Sequence, residues 1–110
     1  MELLTKLEEL VLIAILKLKE NAYGVAVYKH IIKLTGNEVS LSSVYFPLER
    51  LVKKGFLLAY VGEPTPKRGG MRKRYYRLTK SGITALQENR VLTETAWYGV
   101  CDLLVKTENF

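Results

Sequence analysis

Two aromatic-rich runs, residues 56–61 and 73–79, flank nine residues of turn chemistry, Gly62-Glu63-Pro64-Thr65-Pro66-Lys67-Arg68-Gly69-Gly70. In the second run Tyr76 and Leu78 fall on one face and Tyr75 and Arg77 on the other, the period-2 pattern of a half-buried strand. Pro and Gly at this density interrupt any regular element between the runs. The segment reads as a β-hairpin with a long tip, and it is also where charge collects. Residues 67–80 hold seven cations (Lys67, Arg68, Arg72, Lys73, Arg74, Arg77, Lys80) and no acid. The other 96 residues carry ten basic and eleven acidic groups, so the net charge of +6 resides wholly in this segment. A charge run is ordinarily a solvated loop. Here the cations alternate with Tyr75, Tyr76 and Leu78, which makes the run part of a folded hairpin.

The chain before the hairpin has helical periodicity. Thr5-Lys6-Leu7-Glu8 fits a capping box, and Leu7, Leu10, Val11, Ala14, Ile15 and Leu18 follow at helical spacing, widened by Leu12, Ile13 and Leu16. So broad a stripe predicts a central helix. A second helix spans about 25–34, with Val25, Tyr28, Ile31 and Ile32 inward and Lys29, His30 and Lys33 in water. It stops at Thr35-Gly36-Asn37, where Gly tolerates the left-handed closing conformation. Ser40 is the next N-cap. The helix behind it has an inner stripe of Leu41, Val44, Leu48 and Leu51 and ends at Gly55. Its opposite face carries Ser42, Ser43, Phe46, Arg50, Lys53 and Lys54. Short hydroxyls at the start and long cations further on suit a helix lying in a DNA groove. An ordinary surface face accounts for the pattern as well, although Phe46 is odd there and Pro47 removes a backbone donor. Three helices followed by a hairpin is the order of a winged helix-turn-helix. The hairpin is then the wing and the third helix the recognition helix.

Thr79 caps a last helix read as continuous over about 80–106. At ~1.5 Å per residue it is on the order of 40 Å long, more than a domain of this size is thick. Residues 96–105 are apolar on nearly every side, and Ile83, Leu86, Arg90, Thr93, Trp97, Val100 and Leu104 step by three and four. A symmetric homodimer is the commonest way to bury such a face; a helix folded back on the first helix is the alternative. The expected fold is mainly α with a β-hairpin wing, with residues 1–80 as the DNA-binding unit and 81–110 as a long dimerisation helix. Leu86, Trp97, Val100, Leu103 and Leu104 are the dimerisation residues, Trp97 foremost as a packed anchor.

Other classes find little support. The chain has one His (His30), one Cys (Cys101) and one Asp (Asp102), far apart in sequence, which leaves too few acid–base and nucleophilic groups for a catalytic constellation. No disulfide framework, metal cluster or cofactor is expected, and Gly69-Gly70 is not a phosphate loop. No apolar run approaches the roughly 20 residues of a membrane span. Met1-Glu2 opens without a basic, secretory-type segment, so a cytoplasmic protein is expected. His30 reads as a surface helix residue, and Cys101 as a buried small hydrophobe rather than a redox sensor.

Three segments resemble the PadR family of bacterial winged-helix transcriptional regulators. They are Asn21-Ala22-Tyr23-Gly24; Ser43-Val44-Tyr45 with Leu48, Leu51, Lys53 and Gly55; and Arg74-Tyr75-Tyr76-Arg77-Leu78-Thr79-Lys80-Ser81-Gly82. The C-terminal helix is similar to that of the short subfamily. Where the family usually has Pro after the recognition-helix Tyr and Tyr after the turn Gly, this chain has Phe46 and Val25. The resemblance implies a homodimer that represses its own or neighbouring genes and releases DNA when a ligand or signal arrives. Some short members are thought to stack flat aromatic ligands between their subunits, which makes Trp97 the candidate for a small aromatic effector. The expected partner is double-stranded DNA with a pseudo-palindromic operator. Ser40, Ser42, Ser43, Tyr45, Arg50 and Lys53 would contact it from the recognition helix, and Lys67, Arg68, Arg72, Lys73, Arg74 and Arg77 from the wing. Two rivals remain: a single-stranded RNA binder stacking bases on Tyr75 and Tyr76, and a protein adaptor working through its C-terminal helix.

Overall fold

The computed structural model describes residues 2–62 and 73–108; the hairpin tip, with Lys67, Arg68 and Arg72, lies outside the described residues. Helix α1 (Lys6–Leu18) opens on the expected capping box. The Glu8 N–H donates to Thr5 Oγ1 (3.1 Å) and the Thr5 N–H to Glu8 Oε1 (2.8 Å). Its Val11, Leu12, Ala14 and Ile15 are buried at the centre of the core. Around them pack Val27 and Ile31 of α2 (Gly24–Thr35), Val44, Leu48 and Leu51 of α3 (Leu41–Lys53), and Leu57 and Tyr76 of the hairpin. The central role predicted for α1 follows from its breadth: one helix buries apolar residues against two others and a sheet.

A 3-10 turn (Lys19–Asn21) leads into α2, which ends at Gly36. The N-terminal end of α2 crosses α3 closely. A methyl group on Gly24 would collide with the Tyr45 ring and hydroxyl, so only glycine allows this approach. Two expectations for α2 differ. Val25 is exposed. His30 is half-buried, and its Nε2 is enclosed without a partner among the described residues. At about 100° per residue His30 stands only ~60° from Val27, and its side chain leans back over the buried edge of the helix.

Ser40 caps α3 by accepting from the Ser43 N–H at 3.3 Å. The buried sector of α3 centres on Val44 and Leu51 and takes in Leu48 on one side and Pro47 on the other. Leu41, expected inside, lies in the first turn at the edge of that sector and is 45% exposed. Strands β1 (Leu57–Val61) and β2 (Arg74–Leu78) pair antiparallel with Leu57 opposite Leu78 and Ala59 opposite Tyr76. The hairpin gains a further rung from the turn before α2. Tyr23 bridges to Tyr75, and the Tyr76 N–H donates to the Ala22 carbonyl at 2.8 Å. Residues 22–23 thereby fasten the wing to the helices through an isolated bridge beside the two-stranded sheet.

Thr79 caps α4 (Lys80–Trp97), accepting from the Gly82 N–H at 3.0 Å. The near half of α4 belongs to the body. Leu86 packs against the core, and the buried Asn89 amide donates to Glu9 Oε2 on α1. The far half diverges from the continuous helix expected over 80–106. Gly99, with φ of 76°, takes the left-handed conformation that ends helices, and a separate α5 (Val100–Glu108) follows. The mainly α fold with a hairpin wing stands, but its long C-terminal helix is two helices. With the far half of α4 and α5 projecting from the body, the molecule measures 61 × 30 × 20 Å.

Candidate nucleic-acid interface

The first turn of α3 concentrates hydroxyls. Ser40 Oγ lies 2.7 Å from Ser43 Oγ and 3.1 Å from Ser42 Oγ, so the three hydroxyls hold one another in place while Ser40 and Ser42 face solvent. A turn further, Phe46 stands 66% exposed. Tyr45 is half-buried, with its ring and hydroxyl against Gly24 where α2 crosses α3. At the far end Lys53 is exposed.

The remaining cations of α3 are tied to the body. Glu8 is 1% exposed, and its Oε2 takes a hydrogen-bonded ion pair from Lys54 Nζ at 3.0 Å, with Arg50 Nε at 3.7 Å. Lys54 also reaches Glu2 at 3.2 Å. Burial acts to raise the Glu8 carboxyl, but the Thr5 backbone hydrogen bond and the Lys54 ammonium outweigh it and hold the group below the ordinary carboxylate value. The same pairing lifts Lys54 above the ordinary lysine value. Lys54, expected among the outward cations, is thus a brace between α3 and α1. Arg50 is half exposed and leans on the same carboxylate.

The wing meets α3 through an ion pair absent from the sequence expectations. Arg74 Nη1 of β2 lies 2.9 Å from Glu49 Oε1 of α3. Nearby, Lys73 Nζ sits 3.6 Å above the Tyr23 ring. Tyr75 stacks on Tyr60 and meets Tyr23 edge-on, both at 5.7 Å between centroids. Lys73 and Arg74 line a cleft of about 230 Å³ with Tyr23, Gly24, Tyr45 and Glu49. The wing base, the start of α2 and the outer face of α3 therefore form one continuous surface. Arg77 is not part of it: it projects from the other side of the hairpin beside Ile15, Leu16 and Ile83. The Tyr76 ring is 1% exposed and Tyr75 is engaged with two other tyrosines, so the Tyr75–Tyr76 platform on which the RNA alternative rested does not exist as an open surface. Glu49 and Tyr23 were missing from the expected site. Tyr23 had a signal in its place directly before Gly24, whereas nothing local marks Glu49 as the partner of a residue 25 positions later.

On the projecting arm, Trp97, Tyr98, Leu103, Leu104 and Val105 are exposed and Val100 is half-buried. Leu86, expected at a dimer contact, is half-buried against the chain's own core. Cys101 is exposed in the chain by itself, contrary to the expectation of a buried hydrophobe, because the Gly99 break leaves α5 without a neighbour in the body. Among the described residues no three His, Cys, Asp or Glu side chains gather as a metal site, and no helix is long and apolar enough to cross a membrane.

A model of the transcriptional regulator PadR-like family matches residues 11–88. No curated protein matches the chain. Among solved structures, a PadR-like transcriptional regulator from Bacillus cereus is 26% identical with a TM-score of 0.74, covering 89% of this chain and 90% of its own. A PadR family transcriptional regulator from Eggerthella lenta is 28% identical with a TM-score of 0.60, covering 89% of this chain and 80% of its own. A PadR family transcription regulator from Clostridium difficile shares the fold at 19% identity, with a TM-score of 0.66 over 94% of this chain and 98% of its own. The matched residues run from the middle of α1 through the wing to Glu88 of α4, the same helices and hairpin that build the surface described above. The chain belongs to the PadR-like family of transcriptional regulators.

Proposed function

We propose that this protein is a sequence-specific, double-stranded DNA-binding regulator that acts as a homodimer and represses transcription until a ligand or signal releases it. The observation that carries the reading is the Arg74–Glu49 ion pair, which holds the wing base beside the outer face of α3. In this reading α3 enters the major groove. Ser40, Ser42 and Ser43 approach base edges, Tyr45 supports the helix from behind, and Lys53 with the exposed part of Arg50 meets the phosphates. Lys73 and Arg74 lie at the groove margin, and Lys67, Arg68 and Arg72 of the tip extend the contact along the backbone or into the minor groove. Arg77, on the far side of the hairpin, contributes only to the overall field.

Residues 1–80 form the DNA-binding unit and residues 81–110 the dimerisation segment. The exposed apolar side chains of α4 and α5 support a second copy as the partner, because an arm with Leu103, Leu104 and Val105 all in water is costly in an isolated chain. Trp97, Val100, Leu103 and Leu104 pack across that interface, and Trp97 is where a flat aromatic effector stacks. The cytoplasm is the compartment for such a protein.

Fluorescence anisotropy with labelled duplex from upstream of the protein's own gene tests the reading. If each of two wings neutralises three to four phosphates, log K against log salt falls with a slope on the order of −5 to −7. The upstream duplex should also bind more tightly than a scrambled one. A flat salt response, or equal affinity for both duplexes, refutes it.

A further inference from the structure

We infer that Phe46 reads the 5-methyl group of a thymine in each half-site and so sets base preference at one position of the operator; the inference rests on α3 being the groove helix. Phe46 is 66% exposed near the middle of α3, outside the core that Val44, Pro47, Leu48 and Leu51 build from the same helix. A phenylalanine ring held in water is unfavourable unless something covers it in the working complex. Exposed apolar side chains also occur on α1, α2, β1 and the C-terminal arm, but among the described residues of α2, α3 and the hairpin Phe46 is the most exposed of them, and α3 packs on α1, α2 and β1.

Direction and chemistry both select the base. Helical side chains lean toward the helix N-terminus, so the ring lies over the turn that carries Ser42 and Ser43, the part of a recognition helix that meets base edges. The apolar group that base pairs present in the major groove is the thymine methyl. Each neighbour of Phe46 is less selective. Serine hydroxyls donate or accept and pair with several bases; Arg50 leans on the buried Glu8 carboxylate, and Lys53 is a point charge at the far end. Discrimination between thymine and a base without the methyl falls to the ring.

The test begins by selecting bound duplexes from a random library and replacing each thymine of the enriched sequence with deoxyuridine, which removes only the methyl. Burying one methyl corresponds to about fourfold in affinity. Replacement at one position in both half-sites should weaken binding roughly fifteenfold, on the same scale for two methyls. Phe46→Ala should bind the thymine and uracil duplexes equally, and Phe46→Leu should keep part of the ratio. Both variants should melt like the parent, because the ring is outside the core. Parent protein indifferent to uracil at every position, or Phe46→Ala with the parental thymine-to-uracil ratio, overturns the inference. A library that yields no enriched duplex refutes instead the reading of α3 as a sequence-specific groove helix.

Discussion

Glu8 joins three structural demands in one side chain. It closes the capping box of α1, occupies a position with 1% exposure, and brings α1 to the C-terminal end of α3 through Lys54 and Arg50. The first of these is legible in Thr5-Lys6-Leu7-Glu8, because capping is local. The second and third are not, since Lys54 lies 46 residues away and only the packing of α1 on α3 brings it near. Gln in place of Glu8 can keep the cap but loses the charge. Glu8→Gln should cost about 1–3 kcal/mol at pH 7, the scale of a hydrogen bond to a charged group, measured by urea unfolding. The folded-state carboxyl lies below its ordinary value of 4.5. Its contribution is therefore fully present above that value and disappears as pH falls through the folded one. The gap between parent and variant should begin to narrow as pH falls below 4.5 and close only once pH is below the lowered folded-state value. A gap that stays constant down to pH 3 would show that the charge is not what stabilises the contact.

At the scale of elements, helix starts are the most legible part. Thr5, Ser40 and Thr79 each stand directly before a periodic run, and each caps its helix through a side-chain oxygen. The hairpin is equally plain from alternation. Its fastening to the turn at residues 22–23 is not, because a rung between Tyr23 and Tyr75 joins segments that carry no mark of each other. The break at Gly99 escapes a pattern-based reading for another reason: the flanking residues are apolar on nearly every side, so periodicity has little to lose when the helix stops. That break gives α5 a direction of its own and leaves Leu104 exposed. Leu104→Glu should weaken self-association at least tenfold in sedimentation velocity, since a carboxylate buried without a partner is costly. Its effect on the folding of the body should stay within about 0.5 kcal/mol, as for other surface changes. Unchanged association would remove α5 from the proposed dimer interface.

Considered whole, the molecule divides its labour between a near-neutral helical body, a basic wing and an apolar arm. The surplus charge of residues 67–80 is visible in composition, but its use depends on geometry. Arg74 is spent partly on Glu49, Lys73 sits over Tyr23, and Arg77 turns away from α3. The outward residues of α3 stay free of the body at Ser42, Phe46 and Lys53, and a single copy offers them to only one groove. In the proposed homodimer, two copies joined through their arms would offer two helices, whose spacing on DNA symmetry would fix. Hydroxyl-radical footprinting of the library-selected duplex measures that spacing directly. The expected result is two protected patches related by a dyad, with centres one helical turn, about 34 Å, apart. A single protected patch, or uniform protection that persists on a scrambled duplex, would contradict a dimer reading two half-sites.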